Sequence, residues 1–289
     1  MLGAGCIFMV STQLLSILQQ AFPPAARRPG PAGYADAQIV ACLVIGCRLQ
    51  ARSLRHLVRL LKASPPLVRA LGLPRVPSAA TLSRRLRRLA PRLLLLCRRL
   101  SRQVDPSWLG AMDATGLRTR ARGSRWGWSR PYGPFCGLKL HAVVTPSGLL
   151  RDFVLTSAAV RESRVFFRGT GLAVLLADRG YDSERLAQAY AQAGVRLVAR
   201  PRRLGAGKPR TPCRKKAAAL LAMPAGRRLY RLRGTIERFF GWLKTHPALA
   251  VPVTSVAHLE RVLAVLWLAM LLARLESRIG SPRNEICLQ

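Results

Sequence analysis

Three carboxylates in this sequence, Asp113, Asp178 and Glu237, have no easy structural explanation. Only 12 residues are Asp or Glu, against 48 Lys or Arg, so few positions can supply acid–base or metal chemistry. Most of the acids explain themselves. Asp36 and Asp105 fall at element ends, Asp152 lies in a hairpin strand, and Asp182 and Glu184 open a helix, where negative charge is favourable. Glu260 and Glu276 flank the last helix, and Glu285 lies near the C-terminus. Asp113, by contrast, sits in or at the end of a strand, in AMDATG, and Asp178 follows the apolar run AVLLA. Glu237 lies on a helix beside aromatic residues, in TIERFF. A carboxylate in such a place is costly unless a cation pairs with it. That cation is either an arginine or a divalent metal ion, and spacing alone leaves both open.

Each alternative implies a chemistry. Carboxylates converging at strand ends suit Mg²⁺, which prefers carboxylate and water ligands. Two such ions activate an attacking oxygen and stabilise a leaving one in displacement at a phosphate. At roughly 100° per residue, Tyr230, Arg233, Glu237 and Lys244 fall within a stripe roughly 60° wide on a single helix. Ile236, Phe239, Phe240 and Leu243 lie beside it as an apolar face. The simpler reading is an i,i+4 Arg233–Glu237 pair on a solvated face, worth about 0.2–0.5 kcal/mol.

The remaining elements place these residues. Residues 1–33 read as a lead-in ending in the Pro/Gly-rich PPAARRPGPAG. Residues 34–104 read as an all-helical, arginine-studded domain, with Ser78 as a helix N-cap and Gly72 at a helix end. Its short helices and tight turns are compatible with a DNA reader of the helix-turn-helix kind. From 105 to 280 the pattern is mixed α/β (α+β). A strand at WLGAMDATG is followed by a hairpin around Thr145–Leu149, a buried strand ending at Asp178, a helix closed by Gly194, and the strand VRLVAR. After a basic loop, one helix carries Glu237 and a closing helix runs to about 280, leaving 281–289 as a tail.

A formal net charge of +36 points to a polyanionic partner, with nucleic acid first. Only six of the basic residues are lysine, and arginine suits bidentate phosphate contacts. Trp126 and Trp128 stand in a basic stretch read as a loop, where indoles either stack on unpaired bases or pack the loop to the core. Lys139 and His141 share a strand face, and Lys139 is expected to approach DNA. Seven cysteines without a CxxC indicate neither a zinc site nor a disulfide framework. The apolar run ending at Arg274 falls short of the roughly 20 residues of a membrane span and reads as a core helix, so no membrane partner is expected.

The spacing Tyr230-x2-Arg233-x3-Glu237-x6-Lys244 resembles the Y-R-E-K signature of a class of bacterial insertion-sequence transposases. DATG around Asp113 and LLADRGYDS around Asp178 are similar to that family's two aspartate motifs, in the same order. The resemblance covers about residues 34 to 275. It implies an RNase H-like core with a mixed central sheet flanked by helices. It implies Asp113, Asp178 and Glu237 as a catalytic triad holding two Mg²⁺ ions, with Mn²⁺ as a substitute. Tyr230, Arg233 and Lys244 would hold DNA near the scissile phosphate. It also implies transposon terminal inverted repeats and target DNA as partners, a homodimer on paired ends, and a place in the bacterial cytoplasm at the nucleoid. Two alternatives are a non-catalytic basic DNA-binding relative and an RNase H-fold nuclease without strand transfer.

Overall fold

The computed structural model describes residues 15–23, 33–129, 133–202, 211–249 and 254–279. Most of the lead-in, the centre of the basic loop (203–210) and the C-terminal tail lie outside the described residues. The chain divides into two compact units, Met1–Leu100 with His246–Val251 and Arg261–Gln289, and Ser101–Thr245 with Pro252–Glu260.

The first unit is helical. Residues 15–21 form α1, followed by α2 (Asp36–Arg48), α3 (Leu54–Lys62), α4 (Pro65–Ala70) and α5 (Ala79–Val104), whose last turn passes into the second unit. α2 is apolar on every side and accordingly buried, from Ile39 through Ile45. α5 buries Leu82, Leu86, Leu89 and Leu93 at helical spacing and leaves Arg84, Arg87 and Arg92 exposed. Ser78 accepts the Thr81 amide as the expected N-cap, and Gly72 takes the left-handed φ of 61° that ends α4. Asp36 accepts from both Arg85 (2.5 Å) and Arg88 (2.8 Å). The last helix, α10 (Val256–Ile279), is long and apolar enough to cross a membrane by length and composition, but half of that window is buried within the protein. Trp267 is fully buried on it.

The second unit is built on one mixed sheet. Its strands are β1 (Leu109–Arg118), β2 (Arg125–Ser129), β3 (Gly133–Val144), β4 (Leu150–Ser157), β5 (Val174–Ala177) and β6 (Arg196–Ala199). The order is β2-β3-β1-β5-β6, with β4 also paired to β3. The β3–β4 hairpin turns at Gly148 (φ 83°), as the Pro-Ser-Gly sequence predicts. β1 pairs antiparallel with β3 and parallel with β5, and β5 pairs parallel with β6 through α6 (Glu184–Gln192). Met112, Val143, Leu175 and Ala177 on one face of the sheet pack with Leu186 and Tyr190 of α6. α7 (Pro212–Ala222), α8 (Pro224–Arg231) and α9 (Gly234–Thr245) follow. α9 lies against β1 and β3 through Ile236, Phe239 and Phe240. Mixed α/β with flanking helices is the architecture expected of an RNase H-like core.

Two expectations need correction. Residues 125–129 are not a loop but the edge strand β2, paired to Gly133–Gly137. The stretch carrying Tyr230 and Glu237 is not one helix either. Between α8 and α9 the amides of Leu232, Arg233, Thr235 and Ile236 bond to carbonyls three residues back, so the ladder tightens to a 3₁₀ step there. Gly234, which opens α9, favours such a break.

α7 and α8 meet at Gly226, where a Cβ would collide with the Leu220 carbonyl. Gly226→Ala must therefore spread the pair and displace Tyr230 at the end of α8. We expect a loss of about 1–3 kcal/mol in urea unfolding; an unchanged midpoint would show that the helices can separate freely.

Candidate active site

The parallel β1–β5 register ends at Met112↔Ala177. Asp113 and Asp178 each follow the last paired residue, so they emerge side by side from neighbouring strands. Side chains alternate along a strand. Met112 points into the α6 side of the sheet, and Asp113 therefore points to the side that α9 covers. The amide of Ala114 donates to Asp113 Oδ1 at 2.8 Å. Asp178 is exposed and begins the 3₁₀ turn Arg179–Tyr181.

The α8–α9 segment closes over this end of the sheet. Tyr230 donates its hydroxyl to the Ala177 carbonyl at 2.9 Å, fixing α8 to the residue before Asp178. Arg233, in the tightened step, reaches two acids: Glu237 Oε1 at 2.5 Å and Asp113 Oδ2 at 3.4 Å. Glu237 is the more open of the two, with 60% of its side chain exposed against 22% for Asp113. The expected i,i+4 ion pair is therefore present, with a third member, Asp113. Lys244 is exposed in the last turn of α9.

Burial pushes the Asp113 carboxyl up to about 6; the Ala114 amide and Arg233 oppose this, while the charges of Asp178 and Glu237 add to it. Burial alone would lower the Arg233 pKa, but Asp113, Tyr230, Glu237 and Asp178 together raise it. Among the described residues, no three His, Cys, Asp or Glu side chains are gathered closely enough to hold a metal ion as they stand. The donor chemistry nevertheless fits a hard cation. The acids feel one another's charge, and a guanidinium bridges two of them as an internal stand-in.

Other expected residues fall elsewhere. Lys139 does not approach the surface. It is 7% exposed and donates to Glu162 Oε1 at 2.9 Å and to the Val160 carbonyl at 3.2 Å. Burial pushes Glu162 up, but Lys139, a backbone hydrogen bond and His141 together outweigh it and hold the carboxyl below its ordinary value. His141 is buried between Tyr181 and Thr156, sharing hydrogen bonds of 3.1 and 3.0 Å. Burial drives its pKa down to about 4, so it is held neutral. Trp126 and Trp128 remain 72% and 63% exposed on β2 and do not pack into the core. Sequence reasoning did not pair Glu162 with Lys139 or single out Tyr181. The partners lie 23 and 40 residues apart, and only folding brings them together.

The family described as Transposase DDE domain matches residues 105–272, more than half of the chain. No curated protein matches it. Domains of this family generally use divalent metal ions.

The raised pKa has a consequence for stability. The folded protein binds the Asp113 proton more tightly than the unfolded chain does, so this group's contribution is complete below its ordinary value of 3.8 and is lost as pH rises through about 6. With divalent ions chelated, Asp113→Asn is expected to stabilise the protein by about 1–3 kcal/mol at about pH 8, and by nothing at about pH 4. Urea unfolding at the two pH values reads the difference, and equal gains at both would refute the electrostatic account.

Proposed function

The chain belongs to the transposase DDE-domain family, and on that premise we propose that it is a DNA transposase acting by two-metal-ion phosphoryl transfer at Asp113, Asp178 and Glu237. The observation that carries this reading is the pair of aspartates side by side at the strand ends, with Glu237 joined to Asp113 through Arg233. These acids would hold two Mg²⁺ ions, which when bound would activate the attacking oxygen and stabilise the leaving one.

The chain's own groups do the positioning. Tyr230 ties α8 to β5 and so keeps Asp178 and Glu237 in one assembly. Arg233 neutralises the acids in the free protein. With cations held by the acids, its guanidinium would be free to grip a phosphate of the bound strand. Lys244, two turns along α9 from Glu237, extends the same basic wall. Trp126 and Trp128 offer stacking faces to unpaired bases. Lys139 has no part in this, because it is committed to Glu162.

In the first reaction, water attacks the phosphorus at an element end. The P–O3′ bond breaks, leaving a 3′-hydroxyl and a 5′-phosphate. In the second, that 3′-hydroxyl loses its proton and attacks a target phosphodiester, releasing a target 3′-hydroxyl. The partners are terminal inverted repeats and target DNA in the bacterial cytoplasm, with one protein copy on each paired end. The helical 34–104 segment would read the end sequence.

Incubation with the element's own ends, a target plasmid and Mg²⁺ tests the proposal. Wild type should yield cleaved ends and joined products. Asp113→Asn, Asp178→Asn and Glu237→Gln should each drop both to background while still binding the ends. Cleavage without joined products would instead mark a nuclease, and full activity in any of the three variants would overturn the triad.

A further inference from the structure

A groove on the second unit lies away from the carboxylates. It has a volume of about 980 Å³ and runs between α6 and the segment after β4. Arg164, Arg168 and Arg185 line it, over a floor that includes Phe166, with the hydroxyls of Ser163 and Ser183 among them. Among the described residues, no acidic side chain lines it. All three arginines are exposed.

The acids next to these arginines in the chain are already committed. Glu162 is paired with Lys139. Asp182 receives Arg214 at 2.8 Å, through both Nε and Nη2. Glu184 accepts the amides of Cys213 and Arg214 at the start of α7. The groove is thus left with positive charge that its acidic neighbours do not neutralise. Guanidinium and hydroxyl donors are the groups that contact DNA phosphates and sugars without reading sequence. α6 packs on the Met112 side of the sheet, whereas Asp113 points to the α9 side. The groove is therefore a separate surface from the one that carries Asp113.

We propose that the α6 groove binds the sugar-phosphate backbone of a second duplex, the target DNA, without sequence preference. The inference rests on the reading of the chain as a strand-transfer enzyme. It adds to that reading the place where the second substrate is held.

The test uses the full-length protein carrying Arg164→Gln, Arg168→Gln and Arg185→Gln together, with a thermal melt as the check on folding. Binding of a random-sequence duplex is measured by anisotropy over a series of NaCl concentrations. The slope of log K against log salt should shrink by about 0.9 for each arginine that meets a phosphate. With pre-cleaved ends supplied, joining to a target plasmid should fall at least tenfold, while hydrolytic cleavage of uncut ends stays within twofold of wild type. An unchanged salt slope overturns the groove as a DNA site. Loss of end cleavage equal to the loss of joining assigns the groove to the element end and overturns the target reading. A well-folded wild type that neither cuts nor joins ends would instead refute the proposed function, and the salt slope would still decide the groove. If the triple variant melts early, the three single variants are read by the same slope, each expected to lose about one unit.

Discussion

Two carboxylates at one end of a sheet and a third on α9 feel one another's charge, and in the free protein a guanidinium bridges two of them. Like charges at short range raise a pKa or require a counter-charge. Here both effects operate. Burial pushes Asp113 up to about 6, with the charges of Asp178 and Glu237 adding to it, and Arg233 lies within 3.4 Å of it and 2.5 Å of Glu237. The position of Arg233 is set by the backbone. The 3₁₀ step between α8 and α9 puts the guanidinium between a strand residue and a helix residue. A straight helix would have carried the four polar residues along one line; the step instead lets Tyr230 turn to Ala177 while Arg233 turns to Asp113. The join between two helices therefore matters as much to the site as either helix.

A second clamp holds the other side of the Asp178 turn. The backbone amide of Arg202 donates to Asp182, and its guanidinium donates to the carbonyls of Arg179 and Gly180. Asp182 also takes Arg214 in a two-bond pair, and Glu184 receives the first amides of α7. Both stems of the basic segment between β6 and α7 are thus fastened to the residues just after Asp178. Tyr230 holds the residue just before it. Asp178 is exposed, but the backbone on either side of it is fixed, which suits a ligand that must hold its position while remaining accessible.

How much of this was legible in the sequence depended on the range of the forces involved. β1, β3, β4, β5 and β6 showed in apolar runs and alternation, and α6 in its opening acids and closing glycine, because those signals are local. The two aspartates could be placed at strand ends for the same reason. β2 could not be read. RWGWS is short, half polar and interrupted by glycine, and it is a strand because Gly133–Gly137 pairs with it and because Gly127 lets it approach the Ala158 carbonyl. The helix break was hidden because the residues around Gly234 keep a helical hydrophobic spacing through it. Lys139 was misread for a related reason. Strand period gave its face correctly, but which face is buried depends on α6, and its partner Glu162 lies in a turn on a different segment. The three acids stood out by residue type; the arginine bridge between Asp113 and Glu237 needed the fold.

The scarcity of acids and the excess of arginine are two sides of one arrangement. Asp36 serves Arg85 and Arg88, Glu276 serves Arg48, Glu162 serves Lys139, and Asp182 serves Arg214. In each case the acid fixes a basic group that folding has drawn toward other elements. Such pairs add modestly to stability when exposed and more to specificity when buried. What they leave is a surface on which arginine is largely unmatched, consistent with a net charge of +36. Against that background Asp113, Asp178 and Glu237 bring negative charges near one another, and a phosphate backbone drawn in by the surface would be repelled there. Only a cation between acid and phosphate makes the surface and the site compatible. Arg233 supplies one in the free protein, and under the proposed two-metal chemistry divalent ions would take its place.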